Sequence, residues 1–92
     1  MNYYALIYDL VPDYLQRRGQ VRDVHLKLAE EYHQRGELLL AGAFTEPTDR
    51  ALLVFRTSGV GPIEEFIRKD PYVKNKLVAK WEIRPWTVVI GK

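Results

Sequence analysis

Six residues near the start of the chain, Tyr3 to Tyr8, constrain the fold more than any other stretch. They are aromatic or aliphatic throughout and end at Asp9, the pattern of a β-strand. Side chains alternate across a strand, so Tyr4, Leu6 and Tyr8 fall on one face and Tyr3, Ala5 and Ile7 on the other. Neither face is polar. A strand of this kind needs cover on both sides of its sheet.

Pro12 and Asp13 open a loop, and Gly19 blurs the start of the helix that follows. From about Val21 to Arg35 the period becomes helical, with Val21, Leu28, Ala29 and Tyr32 on one face and Asp23, Lys27, Glu30 and Gln34 on the other. His25 lies at the centre of the apolar face, with Arg18 near the same line and Arg22 at its edge; Gly36 is a good helix stop. Leu38 to Phe44 and Ala51 to Arg56 read as two strands, joined into a hairpin by the turn Glu46 to Asp49. Gly42 interrupts the first of them, which signals a bulge or the close approach of another group.

Ser58, Gly59, Gly61 and Pro62 lead into a second helix. Ile63, Phe66, Ile67 and Asp70 share one of its faces, at spacings of three, four and seven, while Glu64 with Arg68 and Glu65 with Lys69 decorate the outer side. Pro71 ends the helix and pushes Asp70 out of the helical region. The last strand, Val78 to Arg84, alternates Ala79, Trp81 and Ile83 against Lys80, Glu82 and Arg84. Pro85 is expected to break it, leaving Trp86 to Ile90 as an extended tail.

The order β-α-β-β-α-β is the ferredoxin-like split βαβ arrangement, an α+β fold with an antiparallel sheet and two helices on one face. Residues 1–92 make a single domain of this kind. Two helices cover only one face, and a second copy is the economical cover for the other. The expectation is a homodimer packed sheet to sheet.

Composition narrows the function. Fourteen basic and 12 acidic residues are mixed along the chain for a formal charge of +2, which argues against a nucleic-acid surface. The chain contains no cysteine, which removes disulfides, thiolate catalysis and Cys-based metal sites. There is no GxGxxG, P-loop or HExxH, and the sheet lacks the aromatic signature of an RNA-recognition motif. Two histidines far from any carboxylate cluster make a poor metal site, so neither metal nor cofactor is expected. The apolar run around Leu38 to Phe44 is too short to span a bilayer and the N-terminus shows no signal-peptide pattern; the expected location is the cytoplasm, away from membranes.

His25 and Asp70 lie on the sheet-facing sides of two helices that sit side by side in a split βαβ fold. A carboxylate bonded to one ring nitrogen fixes the tautomer and leaves the other free for proton transfer. No nucleophile accompanies them, so proton abstraction or elimination fits better than acyl transfer. The structural alternative is a buried histidine tied to a carboxylate, with Asp70 as the N-cap of a short turn from Pro71 to Asn75. The two roles are compatible, since a carboxylate has two oxygens. Arg18 and Arg22 are candidates to hold an anionic substrate or are simply solvated; Tyr72 lends a hydroxyl to a pocket or packs; Asp9 is a turn or a site residue. Trp81 and Trp86 read as core and interface, and His33 is given no function.

With these residues in hand, the chain resembles the YciI-like family over nearly its whole length. The matching features are the Tyr8-Asp9 strand end, Arg22-x-x-His25-Leu26, Gly36, Gly42, Asp70-Pro71-Tyr72 and Ile83-Arg84-Pro85-Trp86. The resemblance implies ferredoxin-like subunits paired into a dimeric α+β barrel, similar to muconolactone isomerases. It also implies a catalytic His–Asp pair at His25 and Asp70, and acid–base work on a small organic molecule, with a dehalogenating branch. The enzyme expected is of the lyase or isomerase type, acting on a small carbonyl or aromatic compound. Arg22 would steady a developing enolate or carboxylate, and Asp9, Gly42 and Tyr72 would line the pocket. The alternatives are a non-catalytic metabolite-binding dimer and an accessory subunit with an exposed apolar patch. The chain departs from the family pattern at Ala43, where a proline is common after the glycine, and at Asn75-Lys76, where a glycine is common. Both departures fall at the expected pocket rim.

Overall fold

In the structure, a computed structural model that describes residues 1–91, the chain runs β1 (Asn2–Leu10), α1 (Tyr14–Arg17), a 3-10 turn (Arg18–Gln20), α2 (Arg22–Gln34), β2 (Leu38–Ala43), β3 (Arg50–Thr57), α3 (Gly61–Lys69), α4 (Pro71–Lys74) and β4 (Val78–Trp86). The strands form one antiparallel sheet in the order β2-β3-β1-β4, so the doubly apolar β1 is central. Directly opposed residues share a face, which puts Ala51, Leu53 and Phe55 of β3 beside Tyr8, Leu6 and Tyr4 of β1. This is the face under the helices. Leu6, Tyr8, Phe55, Ile63, Phe66, Tyr32 and Leu77 are fully enclosed there. Phe66 is the hub of the aromatic packing, with edge-on contacts to Tyr32 at 5.2 Å and Phe55 at 5.6 Å.

Gly36 ends α2 as expected. At φ 79° its N–H donates to the His33 carbonyl, and the Glu37 N–H donates to that of Tyr32, the paired bonds of a Schellman stop. The chain thereby reverses into β2 within three residues of the helix end. At the far end of α3, Asp70 leaves the helical region at ψ 118° and starts α4 with Pro71 in its first turn.

Three expectations are corrected. The loop opened by Pro12 and Asp13 is not irregular: buried Tyr14 anchors a helical turn, and a 3-10 turn carries Arg18 up to α2. The bulge foreseen at Gly42 lies instead at Leu39, where the register shifts between Leu38 and Leu40, and a Cβ at Gly42 would meet nothing within 4 Å. Pro85 does not break the last strand, because β4 is an edge strand and pairs through Pro85, opposite Tyr4, to Trp86. Only one side of an edge strand's backbone is needed for pairing, so a missing N–H is tolerated.

The opposite face of the sheet carries Tyr3, Ala5 and Ile7 of β1, Leu52 and Val54 of β3 and Leu40 of β2. Arg50, Arg56, Lys80 and Glu82 border it. Among the described residues no helix lies over this strip, and Leu40 is 72% exposed. Among the described residues no helix is long and apolar enough to cross a membrane.

Candidate active site

The amphipathic faces of α2 and α3 bring His25 and Asp70 together, a contact that the sequence spacing allows. His25 Nδ1 and Asp70 Oδ1 are 2.7 Å apart, with Asp70 wholly enclosed and His25 nearly so. Asp70 does more than meet one ring. The Tyr8 hydroxyl donates to its Oδ2 at 2.7 Å, and the Tyr72 N–H donates to its Oδ1 at 3.0 Å. Three donors thus converge on two oxygens. A carboxylate in this setting only accepts, so Nδ1 carries its proton. In the neutral ring Nε2 is then the nitrogen with a free lone pair, and it has no partner among the described residues.

The ring is held from its face as well. Tyr72 stacks on His25 with centroids 3.7 Å apart and planes 7° from parallel, while Phe66 meets it edge-on at 6.5 Å. Tyr72 is in turn braced edge-on by Tyr14 at 5.6 Å. Burial pushes the Tyr8 phenol far above its ordinary range, and the negative charge and hydrogen bond of Asp70 add to this. Burial likewise pushes Tyr72 up to about 12; Tyr14 adds to the shift, and Arg22 and Arg18 oppose it.

His25 and Tyr72 form part of the wall of a cavity of about 460 Å³ between α1–α2 and the β2–β3 hairpin. Arg18 and Arg22 stand on its helical side, and Ala41 to Thr45 on the other. That volume lies within the range of about 300–1,000 Å³ usual for small-molecule sites. Among the described residues no group of three or more His, Asp or Glu side chains converges as a metal site would require.

A family model, the YCII-related domain, matches residues 1–87. The chain belongs to that family. Among the solved structures that share its fold are two of similar length. One is 5-chloro-2-hydroxyhydroquinone dehydrochlorinase (TftG) from Burkholderia phenoliruptrix AC1100 in complex with 2,5-dihydroxybenzoquinone, with a TM-score of 0.77 at 17% identity over 92% of this chain and 93% of that one. The other is protein Atu4242 from Agrobacterium tumefaciens, with a TM-score of 0.57 at 18% identity over 98% of this chain and 95% of that one. No curated protein matches the chain. This YCII-related domain therefore has a ferredoxin-like α+β fold, which it shares with TftG.

Within this YCII-related domain, His25, Asp70, Arg22, Gly42 and Tyr72 gather at or beside one cavity. Asp9 is not with them. As the neighbour of Tyr8 on β1 it must point to the opposite face, where it pairs with Arg50 at 2.9 Å and Lys80 at 3.5 Å. Its carboxyl is held below the usual range, first by the Arg50 hydrogen bond. His33 bonds the Leu38 carbonyl at 2.7 Å and is away from the site. Trp81 and Trp86 are both about half exposed on the edge strand, 45% and 47%.

Two residues of the site escaped the sequence reading. The strand pattern and the Tyr8-Asp9 family feature give Tyr8 no polar role, yet an inward hydroxyl needs an acceptor, and a second buried carboxylate oxygen supplies one. Tyr14 fell in a segment read as loop. Nor do the cap and the ring take separate oxygens of Asp70: both use Oδ1, and Oδ2 belongs to Tyr8.

Proposed function

We propose that this YCII-related domain is a cofactor-free enzyme of the lyase or isomerase type, acting on a small carbonyl or aromatic compound with His25 and Asp70 as its acid–base pair. The observation that carries the reading is the 2.7 Å bond from His25 Nδ1 to Asp70, which leaves Nε2 as the ring's free base at a cavity wall. In the proposed step, Nε2 takes a proton from a carbon or hydroxyl conjugated with a carbonyl. The freed electron pair forms the new double bond, and either a leaving anion departs with its own bonding pair or the proton returns at another carbon. Arg22, at the cavity wall, steadies the negative charge that develops on oxygen. The dehydrochlorinase name of the fold neighbour supports this reading, since loss of hydrogen chloride is an elimination of the same kind.

We also propose that two copies pair through the open sheet face. The apolar strip of Ala5, Ile7, Leu52 and Val54, bordered by charge, supports it. A second functional reading, a metabolite-binding domain, rests on Asp70 capping α4 and holding Tyr8, because such a carboxylate fixes the ring whether or not protons move.

The test is a proton-NMR screen of halogenated and hydroxylated cyclic carbonyl compounds in deuterated buffer. It follows both product formation and solvent exchange at carbon. His25→Gln should lower turnover about 100-fold or more, the usual contribution of a positioned acid–base group. Turnover that survives His25→Gln would refute the reading; compounds that bind and never exchange or react would favour the binding domain.

A further inference from the structure

The cavity is charged on one side only. Arg18 and Arg22 line it, and no acidic side chain does. Both are half-buried, and neither makes an ion pair with another described residue. By contrast Arg17, Arg35 and Arg50 each find a carboxylate. The Arg18 guanidinium lies 5.5 Å from the Tyr14 ring centroid, a contact that orients it and leaves its hydrogen bonds unmade. A half-desolvated guanidinium with no counter-charge wants an anion.

A second observation points to the same place. The Tyr72 hydroxyl, in a residue only 3% exposed, makes no hydrogen bond of normal geometry with the described residues; the Tyr14 hydroxyl acts on it without closing such a bond. Buried hydroxyls are nearly always satisfied, so an orphan beside a cavity marks where a ligand oxygen belongs. Arg18, Arg22 and Tyr72 all line the one cavity, so the unsatisfied hydroxyl and the two unpaired cations belong to the same site. Ala29, Ala51 and Leu53 give a ligand body apolar surface, and Thr45 and Thr48 are the uncharged polar residues on the hairpin side.

We infer that Arg18, Arg22 and the Tyr72 hydroxyl form an anion subsite, and that the cavity takes a small, apolar-bodied molecule bearing an ionised oxygen, either a carboxylate or an acidic enol. The inference rests on the reading of this cavity as the ligand site, and on nothing in its turnover. With the anion fixed at Arg18 and Arg22, the remainder of the molecule extends towards His25, whose ring stacks on Tyr72. The charge that selects the ligand also fixes its register against the base.

Binding titrations followed by amide chemical shifts test this at neutral pH. Benzoate is compared with neutral benzamide for the carboxylate arm, and 2,5-dihydroxybenzoquinone with its dimethyl ether for the enol arm. In at least one arm the anion should bind about tenfold or more tightly than its neutral partner, the usual effect of charge-assisted bonds, and binding should weaken as salt is added. Arg18→Gln with Arg22→Gln should abolish the preference. Tyr72→Phe should reduce it while keeping the stack on His25. His25→Gln should leave the preference intact, so the subsite is judged separately from catalysis. The inference is overturned if neutral partners bind as well as the anions, if no probe binds, or if the preference survives both arginine substitutions. An intact preference with no His25-dependent turnover would sink only the enzyme reading.

Discussion

Replacing Tyr8 by Phe removes one oxygen atom from the core and tests whether Asp70 is as tightly engaged as its geometry implies. The lost bond is 2.7 Å long, and its acceptor is a carboxylate oxygen with no solvent exposure. Hydrogen bonds to charged groups contribute a net ~1.5–3 kcal/mol, and here no water is at hand to replace the donor, so a cost of about 2 kcal/mol is expected. For a domain of this size that is a large share of a total of about 5–15 kcal/mol. The melting temperature should fall by roughly 8–16 °C. Urea unfolding at fixed protein concentration is the assay, with a cycle against Asp70→Asn to isolate the pair. Tyr4→Phe is the control: Tyr4 lies two residues earlier on the same face and makes no side-chain hydrogen bond with the described residues, so its change should be near neutral.

The pH dependence supplies a second reading of the same bond. Tyr8 has its folded pKa raised, first by burial and then by Asp70, from an ordinary 10.0. Its contribution to stability is therefore whole below about pH 10 and is lost as the pH rises above that value, because the unfolded chain releases the proton first. Wild type should lose more stability than Tyr8→Phe between about pH 9 and 11. A Tyr8→Phe chain within about 0.5 kcal/mol of wild type, or a Tyr4→Phe chain equally damaged, would refute the reasoning.

Other outcomes follow from single contacts. Lys76 sits at φ 60°, which a β-carbon resists and glycine does not, so Lys76→Gly should raise the urea midpoint by the equivalent of up to about 1 kcal/mol; a lowered midpoint would count against it. Asp9 and Glu65 have lowered pKa values, through the Arg50 hydrogen bond and the Tyr32 hydroxyl respectively. The stability they contribute is present above the ordinary carboxylate range and is lost as the pH falls through their lowered values; acid titrations of Arg50→Gln should show a shallower loss below about pH 4. On the open sheet face, Ile7→Lys should turn a dimer into monomers in sedimentation equilibrium, whereas an unchanged mass would argue against pairing through that face.

Periodicity carried most of the fold, and it carried the His25–Asp70 meeting because helix spacing decides which side chains face the sheet. It also contained a warning about Asp9 that the family pattern obscured: adjacent strand residues cannot share a face, so Tyr8 and Asp9 could not both line one cavity. Tyr8 was hard to see for another reason. Its ring satisfies the apolar pattern, and only the position of Asp70 shows that its hydroxyl matters. The displaced bulge and the continuity of β4 through Pro85 depend on which strands lie at the sheet edges, a property of the whole topology and not of the local residues. The Tyr14 turn was masked by Gly19, a residue that argues against helix whatever precedes it.

The engagements of Asp70 also bear on how the chain folds. Two of its partners precede it by 62 and 45 positions, so both bonds wait until β1, α2 and the α3–α4 corner have met. Contacts of such sequence separation are made against chain entropy before they return any stability, and they slow folding. No fragment of the protein can own this site, and no local fraying can open it without parting β1 from α4. The Tyr72 amide, held by the same carboxylate, should therefore exchange with solvent only as fast as the whole domain unfolds, which makes one proton a gauge of global opening.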